Sequence, residues 1–267
     1  MKDQFVTTDN VRRLGEVVDA LLGSKRGMPR LGLLTGDVGL GKSWAVDDLV
    51  INHAAIYVRA ARGMTASALL RTIVRRLGER PPWGRHDSLL RAVDLLSLRA
   101  SHNPASGLLV VDEVGYLMEG ARHDRFPECL DTLRDLSDES QTPLLLVGEP
   151  EVAETLARYA ATNRHYRRFW ERILIQEEFK PLCRAEVIRI GQLLAGLEIA
   201  AEAAEMIMAS TEGNLRRLVV LLDKMKKVCR ASQKSRVTPE LLNTLGPKVM
   251  RSAPARLDNA GRPRKVA

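Results

Sequence analysis

Short apolar runs alternate with amphipathic stretches over the first two thirds of the chain. Leu31–Leu34, Ala54–Val58, Leu108–Val111 and Leu144–Val147 are nearly continuous apolar blocks bounded by Gly, Pro or charged residues. Such blocks read as strands buried on both faces, the mark of a parallel sheet. A fifth is expected near Ile173–Gln176. Between them, apolar residues return every three or four positions. Residues 8–23 carry Val11, Leu14, Val17, Val18, Leu21 and Leu22 on one face, with Asp9 as N-cap. Further helices are expected from the end of the first glycine loop to about Asn52, and over 65–78, 88–99 and 126–139. Strands alternating with helices give a three-layer α/β fold around a parallel sheet.

Beyond Glu178 the pattern becomes wholly helical. Leu215, Leu218, Leu222, Met225 and Cys229 form an apolar stripe in a helix over 214–229. The expected organisation is an N-terminal helix and link (1–30), an α/β core (31–179), a small all-helical domain (180–246) and a basic tail (247–267). The prolines and glycine of Glu79–Arg85 mark a loop.

Composition adds a charge asymmetry to this outline. The chain has 267 residues, 45% hydrophobic and 28% charged, with net charge +8. These are ordinary values for a globular protein, but the last twenty residues hold six cations against Asp258 alone. A polyanionic partner, nucleic acid above all, fits that excess. No apolar run reaches membrane-spanning length and no secretory leader opens the sequence, so a cytoplasmic protein without a membrane partner is expected. Cys129, Cys183 and Cys229 have no metal-binding spacing and read as free thiols.

The chemistry begins after the first strand. Gly36-Asp37-Val38-Gly39-Leu40-Gly41-Lys42-Ser43 fits G-x-x-x-x-G-K-[ST] at every fixed position, between a buried strand and a helical stretch, and these residues with Trp44 are the expected nucleotide contacts. Glycines let backbone N–H groups wrap phosphates, and the helix directs its positive end at them. Lys42 is expected to reach the β/γ-phosphates and Ser43 to hold Mg²⁺, so a nucleoside triphosphate, ATP, is the expected ligand. Asp112 and Glu113 follow the third strand. Asp112 is expected to orient the Mg²⁺ shell and Glu113 to polarise the attacking water.

Phosphoryl transfer also gains from a cation brought to the γ-phosphate, often by a neighbouring subunit. Arg172, in Arg167-Arg168-Phe169-Trp170-Glu171-Arg172, is the first choice and Arg168 the second. Gly213-Asn214-Leu215-Arg216 opens a helix that would lower Arg216 onto the nucleotide.

Together, the phosphate loop, the VVDE strand, the arginine before the fifth strand and GNLR in a helical lid resemble an AAA+ ATPase. Phe5-Val6-x-Thr8 and Phe169-x-x-Arg172-Ile173 extend the likeness over about residues 4–246, towards transposition regulators typified by the phage Mu B protein, TnsC and TniB-like proteins. The resemblance implies a bacterial or phage-encoded protein that forms a homo-oligomeric ring or filament on duplex DNA. It also implies recruitment of a transposase, with a target-selection protein as a possible further partner. DNA contacts are implied at Arg59, Arg62, Thr65 and Ser67, and at Arg80, Arg85 and His86.

Helicase loaders and secretion-associated ATPases of the ExeA type share parts of the pattern and stand as alternatives. Glu149 departs from it, being a carboxylate where the fourth strand of the family usually ends in a neutral polar sensor. A negative charge there is unfavourable towards a γ-phosphate. Gly261-Arg262-Pro263-Arg264-Lys265 resembles the core of an AT-hook, with Arg262 and Arg264 as minor-groove cations.

Overall fold

In the computed structural model, residues 6–25, 27–102, 107–232 and 235–245 are described. The tail with Arg262 and Arg264 therefore lies outside the described residues. The chain divides into two compact units, one spanning Asp9–Lys180, the other made of the segment up to Thr8 and the chain from Pro181 onward.

The larger unit is built on five parallel strands: β1 (Leu31–Gly36), β2 (Ile56–Arg59), β3 (Leu109–Asp112), β4 (Leu144–Val147) and β5 (Ile173–Phe179). Their spatial order is β2-β3-β4-β1-β5. The three central strands are buried at every position, as their unbroken apolar runs require. Strand β5 lies at an edge, and its exposure alternates residue by residue except at Phe179, which is buried. It runs three residues beyond the Gln176 expected from sequence, because Glu177, half-buried beside Arg13, and exposed Glu178 interrupt the apolar run.

Helix α1 (Asp9–Leu22) and helix α2 (Lys42–His53) cover one face, where Leu14, Val18, Leu21 and Val46 pack with Leu34, Val110, Leu145 and Val147. Gly32 permits this closeness, since a Cβ there would stand 2.8 Å from Leu21 Cδ1. Asn10 donates from Nδ2 to Lys180 O at 2.8 Å and accepts from Lys180 N at 3.0 Å. Helix α1 is thus part of the core, in contrast to the separate N-terminal segment expected from sequence.

The opposite face is covered by α3 (Ala66–Arg76), α4 (Arg85–His102), α5 (Glu128–Ser140), α6 (Pro150–Ala160) and α7 (Arg164–Trp170). A single 3₁₀ turn follows β3 at Val114–Met118. Helices α6 and α7 are additions to the elements expected from periodicity. Asn163 starts α7 by accepting from His165 N at 2.8 Å, and Tyr166 and Phe169 are fully buried against Phe126. The aromatics of this basic segment are core, not surface.

The second unit contains α8 (Arg184–Ile190), α9 (Ala201–Thr211), α10 (Leu215–Ala231) and α11 (Pro239–Leu245). It is not wholly helical. Two-residue strands β6 (Glu198–Ile199) and β7 (Arg236–Val237) pair in parallel. Strands that short carry no periodicity, so only their tertiary pairing reveals them.

Candidate functional site

The carboxyl ends of β1, β3 and β4 bring the expected nucleotide residues together. After β1 the chain turns through positive φ at Gly39 (87°) and Gly41 (94°), a region that costs an L-residue about 1–2 kcal/mol. Gly41 caps α2 with its own backbone, and Ala45 N donates to Gly41 O at 2.9 Å. In the first turn, which also holds half-buried Trp44, the amides of Lys42 and Ser43 precede this bond and have no partner within the helix. They and the helix dipole form the anion-binding end of α2. Asp37, Val38 and Leu40 complete the loop, with Leu40 anchored in the core and Val38 half exposed.

Lys42 donates from Nζ to Gly36 O and, at 3.1 Å, to Asp37 O. The ammonium is thereby held across the loop. Burial pulls its pKa below the ordinary value, opposed by the negative charges of Glu149, Asp112, Glu113 and Asp37 in that order. Four carboxylates acting on one ammonium locate the chemical centre at this edge of the sheet.

Asp112 is 4% exposed, and burial raises its pKa. It accepts from Glu113 N at 2.8 Å on Oδ1 and from the Tyr57 hydroxyl at 3.0 Å on Oδ2. Burial first, then the charge of Asp112 and the hydrogen bond to it, raise the phenol pKa of Tyr57. Glu113 stands in the left-handed region at φ 56°, turning its side chain away from the strand direction. Its Oε1 lies 3.1 Å from Arg59 Nη2. The hydroxyl of Ser43 and the carboxylate of Asp112 are hard oxygen donors of the kind Mg²⁺ accepts.

Two of these contacts are not legible in the sequence. Tyr57 reads as an ordinary strand residue, and Arg59 is expected from the family likeness to face DNA. The register β2–β3, which sets Arg59 opposite Asp112, brings both to the site. Among the other expected DNA contacts, Arg62 pairs with Glu119 at 2.9 Å. Thr65 caps α3 by accepting from Ala68 N at 3.2 Å, and Ser67 is half-buried in that helix. Arg85 pairs with Glu128 and donates to Thr132 Oγ1 at 3.0 Å. Arg80 and His86 are exposed.

Glu149 is exposed and precedes Pro150 at the start of α6. With Glu113, Glu119 and Glu151 it lines a cleft of about 260 Å³ beside the strand ends. Arg172 sits at the opposite edge of the sheet: its carbonyl accepts from Leu31 N at 3.3 Å, and its guanidinium is 3.3 Å from Asp138. The length of β1, roughly 17 Å, separates it from its own phosphate loop. Arg168 is exposed on α7. Arg216 belongs to the other unit, exposed in the first turn of α10, where Asn214 Oδ1 accepts from Arg217 N at 3.2 Å.

A family model described as an AAA domain matches residues 26–156. The DNA transposition protein B of a Mu-like prophage of Haemophilus influenzae is 27% identical over 192 residues, 70% of this chain. The chain spans 62% of the length of that relative. Among solved structures, the Aeropyrum pernix ORC2 protein has a TM-score of 0.65 at 18% identity, covering 96% of this chain and 72% of that one. Cdc6p from Pyrobaculum aerophilum has a TM-score of 0.61 at 17% identity, covering 95% of this chain and 71% of that one. These two likenesses concern the fold. Phosphate loop, strand order and family match together make residues 26–156 similar to an AAA domain.

Proposed function

We propose that this protein hydrolyses ATP and that its nucleotide state governs assembly on duplex DNA, where the assembly presents target sites to a transposase. The convergence of Lys42, Asp112 and Glu113 at one sheet edge carries the enzymatic half. In this reading the amides of α2 and the ammonium of Lys42 hold the phosphates. Ser43 and Asp112 hold Mg²⁺, which when bound neutralises charge on the phosphate oxygens. Glu113 takes the proton of the attacking water. Arg172 serves the site of an adjacent copy, as its distance from its own loop supports.

The DNA half is supported by the relative's description as a DNA transposition protein and by the net charge of +8. Contacts from Arg80, His86 and the basic tail would go to phosphates and carry little sequence information.

Negative-stain imaging with duplex DNA tests the reading. Rings or filaments should appear on DNA with a non-hydrolysable ATP analogue and not without nucleotide. Glu113→Gln should keep that assembly while lowering turnover by about 10²-fold or more. No association with DNA at low salt would overturn the DNA half, and wild-type turnover in Glu113→Gln would remove the base assignment.

A further inference from the structure

The loop between α3 and α4 displays Trp83 with 88% of its surface exposed. Leaving an indole in water opposes the main driving force of folding. The loop nevertheless holds it there firmly. Arg91 grips the Glu79 carboxylate through Nε at 3.0 Å and Nη2 at 2.6 Å. Two prolines follow, and Ser88 then fastens the far side, its Oγ donating to Pro82 O at 3.2 Å and its amide to Gly84 O at 3.0 Å.

The surroundings are cationic. From Arg71 to Arg85 there are five arginines against Glu79 alone, and Glu79 is already occupied by Arg91. The guanidinium of Arg71 lies over the indole, 5.2 Å from the ring centre. Arg75 follows one helical turn later, and Arg75, Arg76 and Arg80 are exposed. Among the described residues none of these four arginines joins an ion pair. An acidic peptide would satisfy the arginines and leave the ring idle. A nucleic acid satisfies both, with phosphates for the guanidiniums and a flat base for the indole.

We propose that Trp83 stacks on a nucleobase while Arg75, Arg76 and Arg80 hold the neighbouring phosphates. The inference rests on the DNA-binding reading above and adds a specific demand: a base face must be reached. That face comes either from an unpaired nucleotide or from a duplex step opened by the ring as a wedge.

Anisotropy titrations of the full chain with an ATP analogue distinguish these sources. The probes are an intact duplex, the same duplex with a one-nucleotide gap, and a single strand. Trp83→Ala should weaken binding by about 5- to 100-fold, and Trp83→Phe by no more than about 3-fold. A loss confined to gapped and single-stranded probes identifies the unpaired base as the ligand, and a loss on the intact duplex identifies the wedge. The slope of log affinity against log salt should stay unchanged in Trp83→Ala and become shallower by about one in Arg80→Ala.

If Trp83→Ala binds all three probes like wild type while Arg80→Ala is weakened, the stacking proposal is wrong and the DNA reading stands. Stacking is equally excluded if Trp83→Ala binds DNA normally but fails to assemble, since the ring then meets protein. A wild-type chain that binds none of the probes at low salt overturns both.

Discussion

Asp112 and Glu113 are adjacent in sequence and live in different surroundings. Asp112 is buried with both oxygens hydrogen-bonded, whereas Glu113 reaches the surface and meets Arg59. Burial raises the pKa of Asp112, so the folded protein holds that proton more tightly than the unfolded chain does. The group's contribution to stability is therefore intact below its ordinary value of 3.8 and lost as pH rises through the raised value. Asp112→Asn should melt at a higher temperature than wild type in magnesium-free buffer at neutral pH. The gap should close as the buffer is acidified, in parallel scanning-calorimetry runs. Arg59 restrains the Glu113 carboxylate by pairing with it at 3.1 Å. Arg59→Ala should raise hydrolysis in the absence of DNA by up to about fivefold, the scale of an exposed ion pair. A lower rate would mean that the guanidinium assists the reaction. Lys42, Ser43, Asp112 and Glu113 are legible in the sequence because each pair falls within one short motif. Tyr57 and Arg59 are not, since they reach the same point from some 55 residues away through strand pairing.

Among the elements, the central strands are readable because burial on both faces writes itself as an unbroken apolar run. Helix α7 is not. It has seven residues, four of them basic or imidazole, and its hold on the core is the pair Tyr166 and Phe169. Their rings pack on Phe126 with centroids 4.9 and 5.4 Å away. That pair fixes the chain just before Arg172. Phe169→Ala should cost about 3–5 kcal/mol of unfolding free energy, measurable as an earlier urea midpoint. Arg168→Ala, on the exposed side of the same helix, should leave the midpoint nearly unchanged. Strands β6 and β7 are hidden for another reason: two residues are too few for any alternation to show.

For the whole molecule, the parallel sheet sets the phosphate loop and Arg172 at opposite edges. A protein in which Lys42→Ala removes the phosphate contact and a protein in which Arg172→Ala removes the cation should each be inactive alone. Mixed, they should recover part of the ATPase activity, because the first lends its arginine to the second's intact loop. Mixtures that stay at the level of either variant would show that Arg172 does not act between copies. No helix among the described residues is long and apolar enough to cross a membrane, and the positive charge is spread over loop, helix and tail.

The opposed edges of the sheet also give the molecule a direction. If Arg172 serves the loop of an adjacent copy, as proposed, copies would join head to tail, as links joined hook to eye. An open row of such copies has one loop at its end that no arginine serves, so the nucleotide held there outlasts those in the interior. Hydrolysis would then loosen the middle of the row before its cap, and long rows would break into shorter ones instead of shrinking evenly from that end.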